Sequence, residues 1–148
     1  IKNISKINIK ELIEEVIISS STLRERTKII CASKIFFKTD KNSLYRIIFN
    51  LLENASKFGK NISIYVTKKL KILTIEIEDD GPGIPEKYKE KIFKPFYKID
   101  DSRNLNKGGS GLGLSITNEL IKKLKGKITL KDSIKTKGTI FSISLFED

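Results

Sequence analysis

The sequence predicts an α+β fold, a two-layer sandwich in which a sheet carries its helices on one face. Three observations predict it. One stretch, residues 44–58, repeats apolar side chains at strict helical spacing. Two pairs of alternating runs, 61–68 with 72–79 and 127–131 with 139–145, read as strands. The coarse order along the chain is β-α-β-β-α-β-β, a loop, then α-β-β.

The elements follow in order. A short strand at 4–7 precedes a helix from 8 to about 27, on which Ile9, Leu12, Ile13, Val16 and Ile17 share one face. Strand-like runs follow at 28–31 and 35–38. Thr39 and Asp40 are side chains that cap helices. Leu44, Ile47, Ile48, Leu51, Leu52, Ala55 and Phe58 then form the amphipathic helix, which Gly59 ends. After the strands 61–68 and 72–79, a short helix is expected over 86–92. Residues 97–110 lack periodicity and hold Gly, Asn and Asp, so they read as a mobile loop. A helix opening on glycines covers 111–124, and the last two strands follow it.

Composition bounds the function. The 148 residues suit a single domain, 1–148, with a genuine core. Neither a membrane-spanning apolar run nor a signal peptide is visible. The chain starts without Met and reads as one part of a longer protein. Cys31, the one cysteine, excludes an internal disulfide, suits a reducing cytoplasm and reads as core filler. With no histidine, a zinc site is not expected. The net charge is +11, and all but four of the 29 basic residues are lysine. Nucleic-acid binding is the first suspicion for such a balance. The lysines are spread along the whole chain, however, with no aromatic-and-basic recognition motif, and a composition rich in Lys, Ile and Asn reads as an AT-rich genome. The charge still favours polyanions, including nucleotides and acidic response proteins.

Three constellations carry chemistry. Asn50, Glu53, Asn54 and Lys57 form a polar stripe on the amphipathic helix. A carboxamide oxygen is a hard ligand suited to Mg²⁺, and a lysine one turn on reaches phosphate. Next, Asp79-Asp80-Gly81-Pro82-Gly83-Ile84-Pro85 follows a strand directly. Alternation carries Asp79 inward with Leu73, Ile75 and Ile77, while Glu76, Glu78 and Asp80 share the other face. A buried Asp needs a partner, and an adenine amine is one. The third is Gly108-Gly109-Ser110-Gly111-Leu112-Gly113-Leu114, where N–H groups at a helix start suit phosphate. Taken singly, each has a plainer reading: a solvated helix face, a Gly-Pro turn, a flexible linker. Neither a Walker loop nor a dinucleotide fingerprint is present.

Together and in this order, the motifs resemble those of bacterial histidine kinases. Residues 50–58 look like the N box, 79–85 the G1 box, 92–97 the F box and 108–114 the G2 box. Gly138-Thr139 with Phe141 is similar to the closing glycine-threonine element. The resemblance covers roughly the whole chain. It implies the Bergerat ATP-binding fold, a mixed, mostly antiparallel sheet with about three helices on one face.

The resemblance also implies roles. Asn54 would hold Mg²⁺ with Asn50 near the metal, and Lys57 would contact phosphate. Asp79 would bind the adenine amine, with Gly81, Gly83, Ile84, Phe58 and Thr139 shaping the ATP pocket. Residues 97–110 would be the ATP lid, anchored by Phe93 and Phe96, with Tyr97, Lys98 and Arg103 as candidate contacts. Gly109, Gly111, Leu112 and Gly113 would form its hinge near the phosphates. Asn54, Lys57 and Glu53 are the catalytic candidates, Glu53 for proton handling. The implied reaction moves the ATP γ-phosphoryl group to a histidine on a separate dimerisation domain, and a response regulator follows in the relay. Such kinases are mostly plasma-membrane receptors with a cytoplasmic kinase domain. The parent is then expected to be a homodimer touching the membrane through upstream segments, and this part alone a monomer.

The acceptor histidine is absent, since the chain contains none. Sister ATPases and the anti-sigma serine kinases typically carry a glutamate base four residues before the metal asparagine, where this chain has Asn50. Without that base, water or a serine hydroxyl is poorly activated, whereas imidazole is already a nucleophile. A serine kinase of the anti-sigma type, or a non-catalytic nucleotide-binding regulatory module, are the alternatives.

Overall fold

The computed structural model describes residues 3–95, 97 and 113–147. Among these, strand β1 (Ile4–Asn8) leads into helix α1 (Ile9–Ile18), helix α2 (Ser21–Arg26) and strand β2 (Thr27–Ile30). Strand β3 (Phe36–Asp40), helix α3 (Lys41–Phe58) and strands β4 (Ile62–Lys69) and β5 (Ile72–Asp79) follow. Helix α4 (Gly113–Lys123) and strands β6 (Lys127–Asp132) and β7 (Thr139–Phe146) end the described chain.

One sheet has the order β2-β4-β5-β7-β6, and β1 pairs with β3 in a separate two-stranded ribbon. The β2–β4 pair is parallel and the rest of the larger sheet antiparallel, so the sheet is mixed and mostly antiparallel as expected. Its inner face supplies Ile62, Ile64, Leu73, Ile75, Ile77, Phe141, Ile143 and Leu145 to the core. The helices supply Leu12, Ile13, Val16, Leu23, Leu44, Ile47, Ile48, Leu51, Leu52, Ala55 and Ile121. Half-buried Cys31 packs against this core.

Two expected helices differ. The helix expected over 8–27 is two helices. Ser19 Oγ donates to the Val16 carbonyl at 2.6 Å, and the Arg24 guanidinium takes the Ile18 carbonyl at 2.6 Å. Ser20, in extended conformation, then caps α2 by accepting from Leu23 N–H at 3.3 Å. Serine hydroxyls satisfy helix ends as readily as they interrupt helices, and here they do both. The helix expected over 86–92 is instead two 3-10 turns, Glu86–Tyr88 and Lys91–Phe93. Buried Lys89 lies between them and bonds Asp132 at 2.9 Å and Glu86 at 3.1 Å, tying this segment to the end of β6.

Helix α3 positions the site. Asp40 Oδ1 accepts from Ser43 N–H at 3.1 Å and caps its start, as expected. The helix ends at Gly59, as expected, where the backbone is extended (φ −124°, ψ 162°) and not left-handed. Glycine is needed at 59 for room: a Cβ would lie 2.8 Å from Asp80 Oδ1.

Candidate functional site

Four segments meet at one end of the sheet: the last turn of α3, residues 79–85 after β5, the β6–β7 turn, and the start of β7. Asp79 is their common partner. It is 3% exposed and lies on the inner face, as alternation predicts. Its Oδ1 accepts from Gly81 N–H at 2.9 Å and Thr139 N–H at 3.3 Å. Burial pushes its carboxyl above the ordinary range; the two N–H bonds oppose this, and the charges of Asp80 and Glu78 add to the rise.

Asp80 has the opposite character. It accepts from the N–H groups of Lys60 at 2.7 Å and Asn61 at 3.0 Å, and from Asn61 Nδ2 at 2.9 Å. Burial alone raises its carboxyl, but the bonds from Asn61 and Lys60 outweigh it and hold the group below the usual range. One aspartate is thus a structural anchor for the chain after α3. The other is a carboxyl kept at a cost inside the fold, which is how a binding group differs from a scaffold group.

The backbone closes tightly on Asp79. A Cβ at Gly81 would overlap the Phe58 carbonyl, and one at Gly138 would overlap the Asp79 carbonyl. Gly83 takes the left-handed conformation (φ 81°). The β6–β7 turn adds a clamp that sequence reading missed. Thr136 Oγ1 donates to the Asp79 carbonyl at 2.7 Å and accepts from Gly138 N–H at 3.0 Å. Ser133 Oγ accepts from Thr136 N–H at 3.0 Å and donates to Glu78. Glu78 also accepts from the Tyr65 hydroxyl at 3.2 Å. Glu78 is buried although alternation turns it outward, because this turn folds over it. The available signal was Ser133 and Thr136 three apart between two strands, a spacing that favours hydroxyl-braced turns.

On α3, Asn50, Glu53, Asn54 and Phe58 are half-buried and Lys57 is exposed. Helical geometry sets Asn54 at the border of the buried arc of Ile47, Leu51 and Ala55, with Asn50 and Lys57 just beyond it and Glu53 farther round. Among the described residues, the carboxamides of Asn50 and Asn54 make no hydrogen bond. Ile84 packs half-buried against the core, and Thr139 is buried. Phe93 packs edge-on against Phe141 with centroids 6.4 Å apart, and Tyr97 lies 6.4 Å from Tyr88. Gly113 is the exposed first residue of α4. The candidates Lys98, Gly109, Gly111 and Leu112, with Phe96 and Arg103, lie outside the described residues.

The sequence pattern of the histidine kinase-, DNA gyrase B-, and HSP90-like ATPase family matches residues 39–148, all four pocket segments and the whole of α3 among them. The chain belongs to this ATPase family. This ATPase domain is 34% identical over 116 residues to the sensor histidine kinase WalK of Bacillus subtilis, a match covering 75% of the chain and 19% of WalK. It is 36% identical over 124 residues to the histidine protein kinase SaeS of Staphylococcus epidermidis, covering 76% of the chain and 35% of SaeS. Its fold is shared with the solved catalytic domain of the histidine kinase ThkA, at 26% identity and TM-score 0.81 over 98% of both chains. The domain is thus an ATP-binding catalytic domain of the sensor histidine kinase type. It spans about a fifth to a third of the length of these two curated relatives.

Proposed function

We propose that this domain binds Mg-ATP in the pocket around Asp79 and transfers the γ-phosphoryl group to a histidine on a separate dimerisation domain, in two-component signalling. The observation that carries the reading is the buried Asp79 carboxylate, fixed through Oδ1 by two backbone N–H groups beside a stripe of asparagines. With Oδ1 held, Oδ2 is the oxygen offered to the adenine amine. Gly81 and Gly83 shape the pocket by letting the backbone close around Asp79, and Ile84, Phe58 and Thr139 wall it. Asn54, Asn50 and Lys57 extend from there toward the phosphates. Gly113 at the start of α4 belongs to the hinge with Gly109, Gly111 and Leu112, and Tyr97 and Lys98 belong to the lid.

The residues fit a hard divalent ion: two half-buried neutral carboxamides, one turn apart, without an intramolecular bond among the described residues. Mg²⁺ bound there would neutralise charge on the β- and γ-phosphates. The chain's own part is to orient: Asp79 fixes the base, Asn54 and Lys57 fix the phosphate tail, and Glu53 stands one residue from the metal ligand for proton handling. In the transfer, the bond from the γ-phosphorus to its bridging oxygen breaks and ADP leaves. A phosphorus–nitrogen bond to imidazole forms, and the imidazole proton is released. The acceptor belongs to another domain, since the chain has no histidine. The response regulator, the homodimeric parent and a cytoplasmic location beneath a plasma-membrane sensor complete this reading. Among the described residues, no helix is long and apolar enough to cross a membrane. The serine-kinase alternative is not favoured, because position 50 is Asn and the relatives reported above are sensor histidine kinases.

The test is calorimetric binding of ADP and ATP with and without Mg²⁺, followed by phosphotransfer to a supplied His-bearing helical segment. Asp79→Asn should weaken binding by about tenfold to a hundredfold, the worth of a hydrogen bond to a charged group. Asn54→Ala should keep Mg-free ADP binding and lose both the Mg²⁺ dependence and the transfer. Asp79→Asn binding as tightly as the unaltered chain would sink the adenine assignment.

A further inference from the structure

The end of the sheet opposite Asp79 has a character of its own. The strand register sets Lys69 beside Ile72 and Ile72 beside Phe146, with Lys127 beside Ser144 on the next strand. Three large apolar side chains stand out there: Leu70 is 94% exposed, Phe146 60% and Ile72 38%. Leu70 sits in the two-residue β4–β5 turn at φ 56°, in the left-handed region. Such turns favour Gly, Asn or Asp, and leucine is disfavoured there. Neither packing nor backbone preference therefore explains an exposed leucine at this tip.

Cations surround the three apolar groups. Lys69, Lys71, Lys125 and Lys127 are exposed and form no ion pair among the described residues. Lys122 and Lys123 in the last turn of α4 add to them, Lys122 being 3.9 Å from exposed Glu119. The nearby Glu147 carboxylate is taken up by Lys68 at 3.3 Å and by Lys38 N–H at 3.0 Å.

The geometry points to an anionic phospholipid bilayer as the ligand of this end of the domain. Nucleic acid rewards the lysines but offers no apolar phase for Leu70 and Phe146. A bilayer surface rewards both: apolar tips enter the acyl boundary while lysine stems lie along it and the ammonium groups stay among headgroups. Each lysine near such a surface strengthens binding about fivefold. Docked this way, the eight residues of β5 hold the Asp79 pocket about 25 Å from the membrane, open to solution. The sequence alone gave membrane contact only to upstream segments; this contact is the domain's own.

The experiment is co-sedimentation of this chain with vesicles of phosphatidylglycerol and phosphatidylcholine, against phosphatidylcholine alone and against duplex DNA. Binding should require the anionic lipid and fall as salt is raised. Leu70→Gly with Phe146→Ser should weaken it at least about tenfold while leaving ADP binding intact, which also shows that the variant folds. Leu70→Trp gives the chain its only tryptophan, whose emission should shift to the blue on anionic vesicles alone. No sedimentation, no shift, or binding that the apolar variants leave unchanged and duplex DNA matches, would overturn the proposal; the last would mark a contact with polyanions in general.

Discussion

At the residue scale, the decisive contrast is between Asp79 and its neighbour. Asp79 has a carboxyl raised by burial, and an amine donor needs it ionised. The sign follows. In the free domain, the raised pKa means that ionisation of Asp79 lowers stability as pH rises through the interval between the unfolded and folded values. A nucleotide that requires the carboxylate expels the proton on binding. ADP affinity should therefore weaken as pH falls through the raised pKa of Asp79, with proton release seen as calorimetric heats that depend on the buffer. Asp79→Asn should lose both effects, and a flat profile in the unaltered chain would mean that another group holds the base. The inward turn of Asp79 was legible in sequence because alternation is a strict period. The clamp by Thr136 and Ser133 was not, because a turn hydroxyl can face solvent or backbone equally well and only the fold of the β6–β7 turn decides.

At the element scale, α3 was the most legible part of the chain, since apolar and polar stripes, the Asp40 cap and the Gly59 end all agree. What sequence could not show is why Gly59 is glycine: the reason is the approach of Asp80, twenty-one residues on. The break between α1 and α2 was hidden for a similar reason, because neither Pro nor Gly marks it and two serines do the work. The Asp40 cap carries its own prediction. Burial acts to raise this carboxyl, but N–H bonds from Ser43, Asn3 and Asn42 outweigh it and hold it below the ordinary range. Its contribution is thus present above about pH 4, the unfolded value, and lost as pH falls through the folded one. Asp40→Ala should cost about 1 kcal/mol at neutral pH, read from denaturant midpoints, and the difference from the unaltered chain should shrink in acid. A gap independent of pH would assign the loss to packing instead.

At the scale of the whole molecule, the net charge of +11 opposes compactness through self-repulsion. The pairs Lys41–Glu15 and Lys122–Glu119 are exposed and weak. Added salt should therefore stabilise this domain, by about 1 kcal/mol or ~3 °C in Tm between low and moderate ionic strength. A fall in Tm on scanning calorimetry would show that the paired charges outweigh the unpaired ones. The α+β class and the mixed sheet were legible from the order of elements, whereas the separate β1–β3 ribbon was not, since strand partners distant in sequence leave no local trace. The strand order has one more consequence. An open sheet ends in two rows of unpaired amides, which among the described residues lie on β2 and β6, each a template on which a foreign strand can add. β2 is only four residues long, and β6 carries Lys127 and Lys131. Shortness guards one border and like-charge repulsion the other, so the same lysine excess that loosens the fold also keeps neighbouring copies from zipping together into aggregates.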